Sequence, residues 1–70
     1  MSESVYKIVE LVGSSSESWE KAAKNAIDKA SGSLRDLRIA EVTQMDMHLH
    51  EGKIKYYRTK LKVSFKYGDQ

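Results

Sequence analysis

Cysteine and proline are both absent from the 70 residues. Without cysteine there is no disulfide to staple a small core, no thiolate metal site and no cysteine nucleophile, which suits a reducing cytoplasm. No apolar run approaches the roughly 18 residues that a membrane span needs. The opening Met1-Ser2-Glu3-Ser4 has neither the basic nor the apolar region of a secretory leader, so a soluble, cytoplasmic protein is expected. Aromatic residues are few, with one tryptophan, one phenylalanine and four tyrosines. A chain of this length forms one domain, residues 1–70, and buries only about 60% of its unfolded surface, so its core needs reinforcement. With disulfides excluded, self-association is the common remaining device.

Charge is unevenly placed. Residues 1–34 carry five acids and four bases, and residues 35–52 carry four acids and two bases. Residues 53–70 hold six bases (Lys53, Lys55, Arg58, Lys60, Lys62 and Lys66) against Asp69 alone. The excess of base is confined to the last segment.

Val5 to Val12 is rich in β-branched and apolar residues and reads as a strand ended by a turn at Gly13. Any of Ser14, Ser15 and Ser16 can cap a helix, and Ser14 with Glu17 has capping-box spacing. Glu17 and Glu20 then complement the helix dipole. Trp19, Ala22, Ala23, Ala26, Ile27 and Ala30 form one narrow apolar stripe at helical spacing. Four of the six are alanines, so this helix must lie close against whatever covers it. Ser31-Gly32-Ser33 ends it. Leu34 to Leu49 reads as a long second strand with an irregularity at Met45-Asp46-Met47-His48. Glu51-Gly52-Lys53 signals a hairpin. The third strand, Ile54 to Tyr67, alternates cleanly, with Tyr57, Thr59, Leu61, Val63, Phe65 and Tyr67 on the face expected to cover the helix. The expected fold is α+β, in the order β-α-β-β, with a three-stranded antiparallel sheet wrapped around one amphipathic helix. The second face of that sheet has nothing in the chain to cover it, and sister subunits are the simplest candidates.

Tyr6-Lys7-Ile8-Val9-Glu10-Leu11-Val12-Gly13-Ser14-Ser15, the alanine-rich helix, Leu37-Arg38-Ile39-Ala40-Glu41-Val42 and Leu61-Lys62-Val63-Ser64-Phe65-Lys66 follow one another at spacings that resemble the dodecin family over essentially the whole chain. The resemblance implies a hollow shell of twelve subunits, non-enzymatic, that buffers or stores a small ligand. In most characterised members that ligand is a flavin, FMN or riboflavin, held as stacked pairs. It also implies where the ligand would lie. The family's tryptophan, which stacks on the flavin ring, is replaced here by Ile39; its glutamine, which bonds the flavin's polar edge, by Arg58; an arginine of some members, by Asp46. With all three cofactor-binding positions altered, weak flavin binding is the expectation. Arg38-Ile39-Ala40-Glu41-Val42, Asp46-Met47 and Tyr57-Arg58 look more like a branch called calcium dodecins. That makes calcium a candidate ligand, with Glu41 and Asp46 as its candidate metal-binding residues. Calcium takes six to eight oxygens, so one carboxylate per subunit would have to be repeated around a symmetry axis. A solvated strand acid explains either residue equally simply.

Other residues point less far. His48 and His50 have the i, i+2 spacing of a strand chelate but lack a third ligand. Trp19 heads the helix stripe and reads as core or interface. Arg58, Lys60, Lys62 and Lys66 form a basic stripe without interleaved aromatics beyond Tyr56, which disfavours nucleic acid. Ser14, Ser15 and Ser16 have no histidine nearby in sequence, and no phosphate loop or metalloprotease motif is present, so no catalytic residue is assigned. The expected function is an oligomeric small-ligand binder or store. A true flavin buffer and a basic-stripe nucleic-acid or nucleotide binder are the alternatives, and no membrane partner is expected.

Overall fold

The computed structural model describes residues 3–68, so Met1-Ser2 and Asp69-Gln70 lie outside the described residues. Strand β1 (Val5–Ser15) leads to helix α1 (Trp19–Ser31), then to β2 (Leu37–His50) and β3 (Lys53–Tyr67). The sheet order is β1-β3-β2, with both neighbours of the central β3 antiparallel to it.

The strand before the helix runs three residues beyond Val12, through the turn expected at Gly13. Gly13 pairs with Thr59 inside the ladder, and its reason for being glycine is packing. A Cβ there would collide with the backbone carbonyl of Ala22 and press on the Cβ of Ala26 at 3.1 Å. Helix and strand touch backbone to backbone at this point, which the alanine stripe permits. Ala22, Ala26 and Ala30 are buried against the sheet, with Ala23 and Ile27 partly buried beside them.

The helix cap also differs from the expected one. Ser18 is the N-cap, its Oγ accepting from the Lys21 amide at 3.0 Å, while Ser15 Oγ accepts from the Glu17 amide at 2.9 Å in the preceding turn. Glu20 therefore lies in the first turn, and Glu17 lies ahead of the cap. Gly32 follows the helix as expected, and Asp36 takes a left-handed conformation (φ 58°) to turn the chain into β2.

On β3 the expected inner face is observed from Tyr57 to Phe65: Thr59, Leu61 and Val63 are buried and Tyr57 and Phe65 partly so, whereas Tyr67, expected on the same face, is exposed at the strand's end. The buried hydrophobic core of the described residues consists of Leu61, Val63 and the three helix alanines. Glu51 and Gly52 both have positive φ (51° and 76°), giving the two-residue hairpin turn that suits the twist of its strands. Met45 to His48 are regularly paired with Thr59 to Tyr56, so the irregularity expected there is displaced to either side. β2 has an extra residue between Leu37 and Ala40 and another between Val42 and Gln44, and β3 has one opposite His48 and Leu49.

The helix does not sit centrally. It lies mainly on β1, then on β3, and scarcely reaches β2. The β2–β3 hairpin projects past it as an arm, and the chain is elongated, 53 × 20 × 14 Å. Among the described residues no helix is long and apolar enough to cross a membrane.

Candidate functional site

The outer face of the sheet carries the three altered ligand positions, and register decides how they relate. Asp46 and Arg58 are direct cross-strand partners. Arg58 grips the carboxylate with two bonds, Nε to Oδ1 at 2.7 Å and Nη2 to Oδ2 at 2.9 Å. That hydrogen bond and the guanidinium charge hold the Asp46 carboxyl below the usual carboxylate range, against a smaller opposing effect of desolvation, and the same bond raises Arg58 in turn. Asp46 is tied from a second side, since its backbone carbonyl accepts from Trp19 Nε1 at 3.0 Å. Trp19 meets Tyr57 edge-on, with ring centroids 5.0 Å apart, and its own carbonyl accepts from Thr59 Oγ1 at 2.9 Å. Helix and arm are thus pinned together at Asp46.

Ile39 lies elsewhere. It sits in the first irregular stretch of β2, where its amide donates to Ser64 Oγ at 3.2 Å. Ser64 is six residues along β3 from Arg58, so Ile39 is roughly 20 Å from the ion pair at the rise of a strand. Within one chain the three positions do not form one site. A shallow hollow beside Ile39 is lined by Tyr6, Arg38 and Ser64 as well, and Ile39 itself is 66% exposed.

Glu41 is on the outer face too, opposite Lys62, which is also opposite Glu10 on the other side. It is four β3 partners away from Asp46, about 13 Å, so one ion cannot take both from the same chain. Among the described residues no three His, Asp or Glu side chains gather to hold a metal. His48 lies against Tyr56 and His50 against Glu51 (3.1 Å), so the two histidines have separate neighbours.

The dodecin family profile matches residues 5–68. The chain belongs to the dodecin family. The calcium dodecin of Mycobacterium tuberculosis is 48% identical over 64 residues, which are 90% of this chain and 89% of that one. A crystal structure of that calcium-chelating antigen, described as having a novel calcium-binding site, matches with a TM-score of 0.84 over 96% of each chain at 42% identity. The dodecin of Thermus thermophilus is 40% identical over 62 residues, 89% of this chain and 90% of that one. The dodecin structure from Streptomyces coelicolor covers the whole of both chains with a TM-score of 0.92 and 33% identity. The β-α-β-β fold with its antiparallel sheet is therefore the dodecin fold, and the resemblance to the calcium-dodecin branch holds.

Two features of this dodecin escaped the reading of the sequence. The Trp19–Asp46 bond joins residues 27 apart, and only the register of the arm brings them together. The open inner face of β2 follows from the off-centre helix, which no local spacing encodes.

Proposed function

We propose that this dodecin, residues 1–70 as one domain, is a non-enzymatic subunit of a hollow homo-oligomeric shell, twelve chains as the family resemblance implies, that stores a small ligand, with calcium favoured over flavin. The observation that carries self-assembly is the imbalance between core and surface. Five buried apolar residues, three of them alanines, face a surface that exposes Val42, Met45, Met47, Leu49 and Ile54 along one arm. Apolar area of that extent is stabilising only when another chain covers it.

The choice of ligand follows from the chemistry present. A flavin ring needs a π face and an edge partner that both donates and accepts. Ile39 offers no π face, and Arg58 offers only donors, already engaged by Asp46. For calcium, Asp46 has both oxygens occupied by Arg58, which leaves Glu41 as the better donor. One carboxylate per chain reaches calcium's coordination number only where copies meet. The calcium named for the M. tuberculosis relative supports the same choice. In the basic stripe of β3, Arg58 is paired with Asp46, and Lys62 lies in register between Glu10 and Glu41, so the local charge is mixed, which disfavours a polyanion.

The deciding experiment is a pair of titrations on the purified protein, one with calcium followed by melting temperature and one with riboflavin followed by its fluorescence. A rise in melting temperature with calcium and little quenching of riboflavin is expected. Tight quenching without a calcium response would make the protein a flavin buffer instead.

A further inference from the structure

We infer that the end of the β2–β3 hairpin holds a site for a nitrogen-seeking divalent metal such as zinc, built from His48, His50 and Glu51. The i, i+2 spacing sets both imidazoles on one face of β2, about 7 Å apart along the strand. The third donor, which that spacing alone does not supply, comes from the turn. His50 Nε2 stands 3.1 Å from Glu51 Oε2. Two donors held about 2.1 Å from one zinc at the tetrahedral angle stand about 3.4 Å apart. Two of the three donors therefore already have nearly the separation that the metal requires.

His48 joins them by a side-chain rotation. In the chain as it stands the three donors do not converge, because the His48 ring is tilted against Tyr56 with centroids 5.9 Å apart. Among the described residues that ring is the one polar or aromatic partner of the His48 side chain. His48, His50 and Glu51 are all exposed, so no packed neighbour blocks the movement. An open hollow bordered by His50, Glu51, Lys53, Ile54 and Lys55 leaves room for water in the remaining coordination position.

The donor set selects the ion. Two imidazole nitrogens and one carboxylate oxygen suit zinc, copper or nickel, whereas calcium and magnesium take oxygen. Asp46, next along the same face, is not a fourth donor, since both of its oxygens are bonded by Arg58. Lys53, opposite His50, and Lys55 repel a cation, so coordination bonds rather than long-range charge must carry the binding. The site is distinct from the calcium donor proposed above: Glu41 lies seven residues back along β2, roughly 20 Å away.

Calorimetric titration of the purified protein with zinc, in a buffer that does not bind metal, tests this. One zinc per chain is expected, with no displacement by excess magnesium. His48→Gln, His50→Gln and Glu51→Gln should each weaken binding by at least about tenfold, since losing a ligand costs no less than losing an outer partner. All three positions are exposed, and circular dichroism checks that each variant folds. Copper provides a readout on the unaltered protein: its electron paramagnetic resonance spectrum should show coupling to two imidazole nitrogens. No zinc binding by the parent, unchanged affinity in any of the three variants, half an ion per chain, or a copper spectrum with a single nitrogen would overturn the site. Each of those results leaves the calcium reading intact, because the two titrations use different ions and different donors.

Discussion

At position 39 an isoleucine can contact a ring by dispersion but supplies no aromatic face, and the hollow it borders offers only Tyr6 as an aromatic neighbour. Ile39→Trp alone should therefore tighten riboflavin binding roughly tenfold, the equivalent of about 1.4 kcal/mol and close to the upper value of an aromatic pair. Arg58→Gln should not add to this, because Arg58 lies roughly 20 Å from Ile39 in the same chain and its loss only strips Asp46 of its partner. Fluorescence titration of the three proteins measures both effects; nanomolar binding by the parent would show that Ile39 is not limiting. The two carboxylates proposed for calcium should behave differently. Glu41→Gln should abolish the rise in melting temperature with calcium, whereas Asp46→Asn should preserve it, since any ligand that binds only the folded assembly stabilises it by mass action. Asp46 matters instead for acid stability. Its pKa is lowered on folding, so its contribution is present in full above the ordinary carboxylate value of about 3.9 and fades as the pH falls toward the depressed folded value. Melting temperature followed from pH 7 into the acid range should show this loss in the parent and a shallower loss in Asp46→Asn.

At the scale of elements, the contact between helix and β1 tolerates no added atom. Gly13→Ala should destabilise the subunit by about 1–3 kcal/mol or more, because the new methyl meets a helix carbonyl that cannot move alone. Ala26→Leu should cost about 1–3 kcal/mol for the same reason, from the other side of that contact. Thermal melts of the two variants check both; an unchanged melting temperature would mean that the helix rides higher on the sheet. The alanine stripe, the alternation on β3 and the Glu51-Gly52 turn were all legible because each is a local periodicity or a local backbone preference. Gly13 was misleading for the converse reason: a glycine needed for close approach looks the same in sequence as one needed for a turn. The helix start was placed too early because the Ser14–Ser16 run and Ser18 all satisfy the local rule, and only the packed geometry selects Ser18. The positions of Ile39, Asp46 and Arg58 came from family resemblance, while the ion pair between the last two depended on a register that two bulges in β2 reset.

For the whole molecule, the elongated arm, the small, alanine-rich core and the apolar inner face of β2 are all accounted for by the proposed assembly, in which neighbours complete the folded unit. Buried polar groups are not the weakness: among the described residues no buried side-chain nitrogen or oxygen lacks a hydrogen-bond partner. What the single chain lacks is apolar cover. Stability should accordingly depend on protein concentration, with the melting temperature rising as the solution is concentrated, because dissociation precedes or accompanies unfolding. The most direct measurement is the mass of the purified chain by light scattering at micromolar concentration. A particle of twelve 8.0 kDa chains is the expected result, and a stable, folded monomer at that concentration would contradict the account.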